Sequence, residues 1–391
     1  MLSHYDLVVV GCSSAGLAAA EKARKIRPQA TIACFSEERD APYYRPMLTE
    51  MMGNPAVREK ASFTLKKPQW FAEQNIDLFL STEVTGLNPA SRSLTTGQGQ
   101  TCTWGACVLA TGSVPFVPLP AALALPNVFT CRSQEDARRI IDAAGPGRRV
   151  VIIGGGLLGL EAAHFLNSEG RKITVVELMP RILPRQLDES VSAWLANRIA
   201  AAGVDLRLGT QVQEIRGHDG TLIVSTPSEE LETDVVLFSI GVRSRVDLAK
   251  SAGLIVNRGI VVDEYMQTSE PQVFACGDAA EFSGQVWPLW MPAMRMGQVA
   301  GHNAAAGRET TFALSVPPAA LSAFSTRIFS VGQLEKGELL ERKIDEDNGL
   351  RLYFEAGVLT GAVLWGDTAK GMALAKALEA KADRPTVEKL L

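Results

Sequence analysis

Cysteine is scarce in this chain, and its spacing forms no pairs. The six cysteines (Cys12, Cys34, Cys102, Cys107, Cys131 and Cys276) include no Cys-x-x-Cys, and the four histidines (His4, His164, His218 and His302) are scattered. No combination has the spacing of a zinc or iron–sulfur site, so no protein-bound metal is expected. Long apolar runs are missing as well: none approaches the ~18 residues that span a bilayer. The first strand-like run starts near Tyr5, which leaves no room for a signal peptide and makes a cytoplasmic location the expectation. A strong excess of one charge is also lacking. The net charge of −4 argues against nucleic acid as the main partner.

Glycine, by contrast, is placed with purpose. Gly11-Cys12-Ser13-Ser14-Ala15-Gly16 follows the apolar run Leu7-Val8-Val9-Val10 and opens an Ala-rich helical stretch that stops at Arg27-Pro28. Gly154-Gly155-Gly156-Leu157-Leu158-Gly159 follows Val150-Val151-Ile152-Ile153 and opens a second such stretch. Strand, glycine turn and helix together form a dinucleotide-binding fingerprint. The first glycine permits the tight turn, the middle one lets a pyrophosphate approach, and the third lets helix and strand pack closely. The helix N-terminus adds unpaired N–H groups and partial positive charge. The second fingerprint is complete in Gly154, Gly156 and Gly159. In the first, Ser13 replaces the middle glycine and is small enough to leave room for a pyrophosphate.

Each turn has an acid at the end of the next strand-like run: Glu37 after Thr31–Phe35, and Glu177 after Ile173–Val176. Such a carboxylate accepts ribose hydroxyls and repels a 2′-phosphate, so Glu177 favours NADH over NADPH. Arg181 works against that preference, because a free arginine there would tolerate NADPH. Glu37 has a plainer alternative as a solvated acid in the Glu37-Glu38-Arg39-Asp40 cluster. Two dinucleotide turns in one chain imply a relay between two cofactors.

With 391 residues and ~150 per domain, two or three domains are expected. Ala106–Ala110 reads as a strand ending in Thr111-Gly112, and Asp234–Ile240 mirrors it, ending in Gly241. The Pro-rich residues 115–126 read as a linker, and 203–239 as an antiparallel excursion. A helix is expected from about Pro292 to Ala306. After Pro317-Pro318 come a β-rich stretch and a last helix, Lys370 to Ala382.

The run Thr268-Ser269-Glu270-Pro271-Gln272-Val273-Phe274-Ala275-Cys276-Gly277-Asp278, taken with Ala110-Thr111-Gly112, resembles the two-dinucleotide flavoprotein reductases of the glutathione-reductase fold. That resemblance implies an α/β fold with two Rossmann-like dinucleotide-binding domains, for FAD and NAD, plus a small α+β C-terminal domain. The FAD-binding domain would be discontinuous (1–113 and 241–310), the NAD(H)-binding domain 114–240, and the C-terminal domain 311–391. FAD would be held by Gly11, Ser13, Ser14, Ala15, Gly16, Glu37, Arg45, Pro46, Ala110, Thr111, Gly112, Gly277, Asp278 and Met294, with Asp278 on the ribityl chain. NADH would be held by Gly154, Gly156, Leu157, Leu158, Gly159 and Glu177, with Gly241 closing the mirrored strand.

The element Pro42-Tyr43-Tyr44-Arg45-Pro46-Met47-Leu48-Thr49-Glu50 lies where disulfide reductases carry their redox cysteines. No cysteine occurs from 35 to 101, which excludes a dithiol relay there. This element, Arg185-Gln186-Leu187-Asp188 and Gly259-Ile260-Val261-Val262-Asp263 are similar to NADH:rubredoxin reductases. The segment Leu359–Thr368 also resembles the flavin domain of NAD(P)H nitrite reductases. On this resemblance Arg45 is a cation beside the flavin ring, and Glu161 a carboxylate at the nicotinamide pocket that pairs with a base, Arg45 being the candidate. The helix from Pro292 would aim its N-terminus, worth ~0.5 of a charge, at the flavin, with Met291, Ala293 and Met294 nearby. Trp287 and Trp290 are either neighbours of the flavin or plain core, and Trp365 covers the flavin, covers an acceptor surface or is plain core.

The function implied is an FAD-dependent NADH oxidoreductase that passes hydride from NADH to FAD and then electrons to a small protein such as rubredoxin. Two alternatives stay open: a flavin subunit of a nitrite reductase-type system or an NADH oxidase, and a non-enzymatic flavin redox sensor. A monomer is expected.

Overall fold

The computed structural model describes residues 1–54, 56, 57 and 63–391. They form two compact units. The first comprises Met1–Met47, Glu59–Val114 and Val242–Leu314; the second comprises Leu48–Arg58, Pro115–Gly241 and Ser315–Leu391. The architecture is α/β with several sheets, as the resemblance implies.

In the first unit, His4–Val10 lies between Ile32–Phe35 and Thr101–Leu109, all parallel, with Ile76–Phe79 beyond Ile32–Phe35. Val273–Ala275 joins the far end of Thr101–Leu109, also parallel, while the hairpin Val84–Asn88 with Ser93–Thr96 takes the near end. Leu7, Val8, Val9 and Val10 are all buried. A parallel sheet covered on both faces needs such unbroken apolar runs, and each buried Val, Ile or Phe adds about 1.5–3 kcal/mol. The helix Ser14–Ile26 leaves the first strand, and Trp290–Ala306 packs against it. Gly297 and Gly301 make that approach possible: a Cβ at either would collide with the backbone of Ala15 or Ala19.

The second unit holds a parallel sheet in the order Asp205–Arg207, Lys172–Val176, Arg149–Ile153, Val235–Phe238, Val128–Thr130. Here the structure corrects the expectation for 203–239. Asp205–Arg207 runs parallel to Thr174–Val176, and only Glu214–Thr233 forms an antiparallel three-stranded sheet. A three-residue strand carries no directional signal of its own, and its partner lies some 30 residues earlier. The hairpin turn Asp219-Gly220 has φ of 45° and 82°, a pair of left-handed residues that matches the twist of the flanking strands. From Ala319 to Trp365 a five-stranded antiparallel sheet forms, with the helix Gly371–Glu379 packed on it. The helix expected to be the last, Lys370 to Ala382, spans only Gly371–Glu379, and a short helix capped by Asp383, Arg384–Glu388, follows it. No helix among the described residues is long and apolar enough to cross a membrane.

Candidate dinucleotide-binding sites

In the first unit the turn after His4–Val10 is fixed by Gly11, whose φ is 96° and whose Cβ would strike the Ala110 carbonyl. Gly16 is just as constrained, since a Cβ there would strike the Gly11 carbonyl. Ser13 is the N-cap of the Ser14–Ile26 helix, yet its hydroxyl makes no capping bond and the first turn carries no acid. Instead Ser13 Oγ accepts from Arg45 Nε at 3.0 Å. The leading N–H groups of the helix therefore have no side-chain cap, which suits a pyrophosphate.

Arg45 is drawn inward by three groups. It donates to Ser13, to the Tyr43 hydroxyl at 3.1 Å, and to the Glu38 carboxylate, which also accepts from Tyr43 at 2.6 Å. Burial alone would weaken the Arg45 cation, but Tyr43 and Glu38, with a smaller pull from Asp278, raise it overall. Glu37, expected at a ribose, is exposed and ion-paired with Arg245. Ala110, Thr111 and Gly112 close the central strand. Thr111 Oγ1 donates to the Arg245 carbonyl at 2.8 Å, and Gly112 accepts from Arg245 N–H at 2.9 Å. Asp278 follows the left-handed Gly277 (φ 69°) and accepts from Ser113 Oγ at 2.7 Å. Pro46 is exposed and Met294 half-buried.

The second unit repeats the plan. Gly154 has φ of 118° and faces the Ser239 carbonyl; Gly159 faces the Gly154 carbonyl. A Cβ at Gly156 would meet nothing within 4 Å, so the middle of this turn is open, as a dinucleotide requires. Leu157 opens the helix Leu157–Leu166, and Leu158 is 53% exposed beside the opening. Glu177 Oε2 accepts from Gly155 N–H at 2.6 Å and Oε1 from Met179 N–H at 2.8 Å, which ties the acid to the turn. Gly241 has φ of 101° and free space around it. Glu161 is partly buried and accepts from Thr49 Oγ1 at 3.0 Å. Burial raises its carboxyl above the usual range; the Thr49 bond opposes this and the Glu50 charge adds to it. Arg45 and Glu161 fall in different units, and each has another partner within its own.

Sequence reasoning missed Glu38, Tyr43, Thr49, Ser113 and Arg245. Glu38 carried a signal as an acid adjacent to the one chosen, and Tyr43 and Thr49 lay inside the Pro42–Glu50 element without being singled out; Ser113 and Arg245 carried none. It also missed what Asp188 does. That buried carboxylate caps the helix Glu189–Ala201 through Val191 N–H and accepts from Arg351 at 2.8 Å and Tyr353 at 2.7 Å, bracing the C-terminal sheet. Trp365 is buried in that sheet, 6.2 Å from Trp194, and Trp290 packs edge-on against Tyr44 at 4.7 Å. Burial pushes the Cys276 thiol up to about 12, and a hydrogen bond to Cys12 together with burial raises Cys34. Such thiols are poor nucleophiles near neutral pH.

Two strand–turn–helix cradles of matched geometry define a two-dinucleotide α/β redox protein. The model of the pyridine nucleotide-disulphide oxidoreductase family matches residues 5–297, and this chain belongs to that family. Its NADH-rubredoxin reductase members bind FAD and NADH. The rubredoxin NAD+ reductase C-terminal domain matches residues 317–382. The nitrite reductase [NAD(P)H] of Bacillus subtilis is 30% identical over 98% of this chain, which spans only about half (48%) of that relative. The rubredoxin-NAD(+) reductase of Alcanivorax borkumensis is 30% identical over 94% of this chain and 96% of its own length. Among solved structures, the covalent putidaredoxin reductase–putidaredoxin complex matches with a TM-score of 0.87 at 25% identity, over 98% of this chain and 95% of the other.

Proposed function

We propose that this chain is an FAD-dependent NADH oxidoreductase that hands electrons to a small protein carrier, rubredoxin first among the candidates. The observation that carries this reading is the repeated cradle: one chain holds two turns of the same geometry, and the second has an acid suited to NAD(H). FAD would supply the conversion of one hydride into two single electrons. The residues supply binding and electrostatics. The uncapped N–H groups at Ser14–Gly16 hold a pyrophosphate, and Asp278, oriented by Ser113, accepts ribityl hydroxyls. Arg45 would supply a positive charge to that cofactor's neighbourhood, the kind of charge that favours its reduced, anionic form. Gly154, Gly156, Gly159 and Glu177 hold the nicotinamide coenzyme, and Glu161 borders its pocket. Support for rubredoxin comes from the C-terminal domain match and from the full-length similarity to the Alcanivorax reductase. We place the protein in the cytoplasm, as a monomer.

One observation favours a second reading. Nearly the whole chain aligns with half of a nitrite reductase, as a flavin module of a larger system would. Stopped-flow mixing with NADH separates the cases. The purified protein should be yellow, bleach with NADH, and turn over rubredoxin within the ~1–1000 per second of ordinary enzymes. Bleaching with fast peroxide formation and no rubredoxin turnover would favour an oxidase. Bleaching with turnover only beside a nitrite-reducing partner would favour the second reading. A colourless protein that cannot be reconstituted would sink both.

A further inference from the structure

Arg181, which would tolerate NADPH if free, is not free. Its Nη1 lies 2.8 Å from Glu335 Oε1, and its Nη2 donates to Glu335 Oε2 at 3.0 Å and to the Pro184 carbonyl at 3.3 Å. Glu335 Oε1 also accepts from the backbone N–H of Glu189 at 3.1 Å, at the start of the Glu189–Ala201 helix. Glu335 itself has φ of 66°, a left-handed turn conformation that is uncommon for glutamate and costs it some backbone energy. The residue is thus held in an unfavourable backbone state, with its carboxylate clamping one particular guanidinium.

By its backbone, Arg181 belongs to the segment that collars the second glycine turn. Glu177 binds Gly155 and Met179 N–H, Leu183 N–H donates to the Gly155 carbonyl at 3.1 Å, and Arg181 lies between these anchors. An arginine near the ribose-binding acid is the group that accommodates a 2′-phosphate. Two other cations are near in sequence or sheet. Arg207, on the neighbouring strand, is engaged by Asp205 and Glu229. Arg185 is exposed and lies within the turn that Leu183 closes with Gln186 and Leu187.

We propose that Glu335 is a specificity-determining residue: by clamping Arg181 in a two-pronged ion pair, it withholds the cation that would receive a 2′-phosphate and so sets the coenzyme to NADH. Glu177 then dominates the charge at the ribose and repels NADPH. A segment of the C-terminal sheet region thereby governs a choice usually left to the dinucleotide fold itself. This rests on the reading of Gly154–Gly159 as the NADH site.

Calorimetric titration with NAD+ and NADP+ tests it on the flavin-loaded wild type, on Glu335→Gln and on the double variant Glu335→Gln/Arg181→Ala. Glu335→Gln should bind NADP+ about tenfold more tightly, a gain that fades as salt rises, while NAD+ affinity changes less than about twofold. The double variant should lose that gain. No gain in Glu335→Gln overturns the proposal, as does a gain that survives in the double variant or disappears when Arg185→Ala is added to Glu335→Gln instead. A wild type that binds neither coenzyme removes the NADH reading, and this inference with it.

Discussion

The two glycine turns are alike at their outer positions and different in the middle. Gly11 and Gly154 both face a carbonyl just past the end of the neighbouring parallel strand, and Gly16 and Gly159 both face the carbonyl of the first glycine. At the centre, Ser13 is occupied by Arg45, whereas Gly156 stands open. The acids differ in the same sense. Glu177 is bound to its own turn, while Glu37 reaches Arg245 and the neighbouring Glu38 is spent on Arg45. The first cradle is crowded and cross-linked, as suits a cofactor that stays. The second is open beside an exposed Leu158, as suits a coenzyme that exchanges at each turnover. On the proposed reading, one motif would serve as a permanent seat or a revolving one, depending on what occupies its middle position.

The sharpest way to break this comparison is to spoil each turn in isolation. Gly154→Val should leave the protein yellow but cut NADH-driven bleaching by ~100-fold or more, whereas Gly11→Val should yield colourless protein. If both variants lose colour equally, the division of labour is wrong. Next in size, Asp188→Ala should lower stability in urea by about 3 kcal/mol, because it removes a helix cap and strips Arg351 and Tyr353 of their shared partner. Flavin content should be unchanged in that variant if the first cradle stands apart.

Glu161 gives a smaller effect with a definite sign. Burial raises its carboxyl in the folded state, so the native form takes up a proton more readily than the unfolded chain. Its favourable contribution is present below the ordinary carboxylate range and lost as pH rises through the raised value. Glu161→Gln should therefore match the wild type in urea near about pH 4 and exceed it near about pH 8. The reverse ordering at the higher pH would contradict the burial. Smallest of all, Ser13→Gly makes the first turn resemble the second and deprives Arg45 of one acceptor. Flavin affinity should fall about threefold, measured by release into the filtrate.

Both turns were legible because their backbones leave no choice. A left-handed φ and a carbonyl in contact exclude every side chain, and the sequence records that exclusion as glycine. The Gly277-Asp278 turn, taken with Ala110-Thr111-Gly112, was legible only through resemblance to a family. Glu37 shows the limit. Two adjacent acids carry equal charge, and only the positions of Arg245, Tyr43 and Arg45 give each one a different partner. Ser113 and Asp278 meet across 165 residues of chain, a distance no local pattern spans. The parallel strand Asp205–Arg207 was misread for the same cause, since its direction is set by a neighbour rather than by its own three residues.

Gly297 and Gly301 have a further consequence for how this protein can vary. Each lies where even one methyl group would push the long helix off Ala15 and Ala19 and swing its Trp290 tip. Random mutagenesis of that helix should find free exchange at exposed Gln298 and complete intolerance at these two notches, one helical turn apart. Inheritance can redecorate the outside of this rod, but the groove in which it rests admits a single shape.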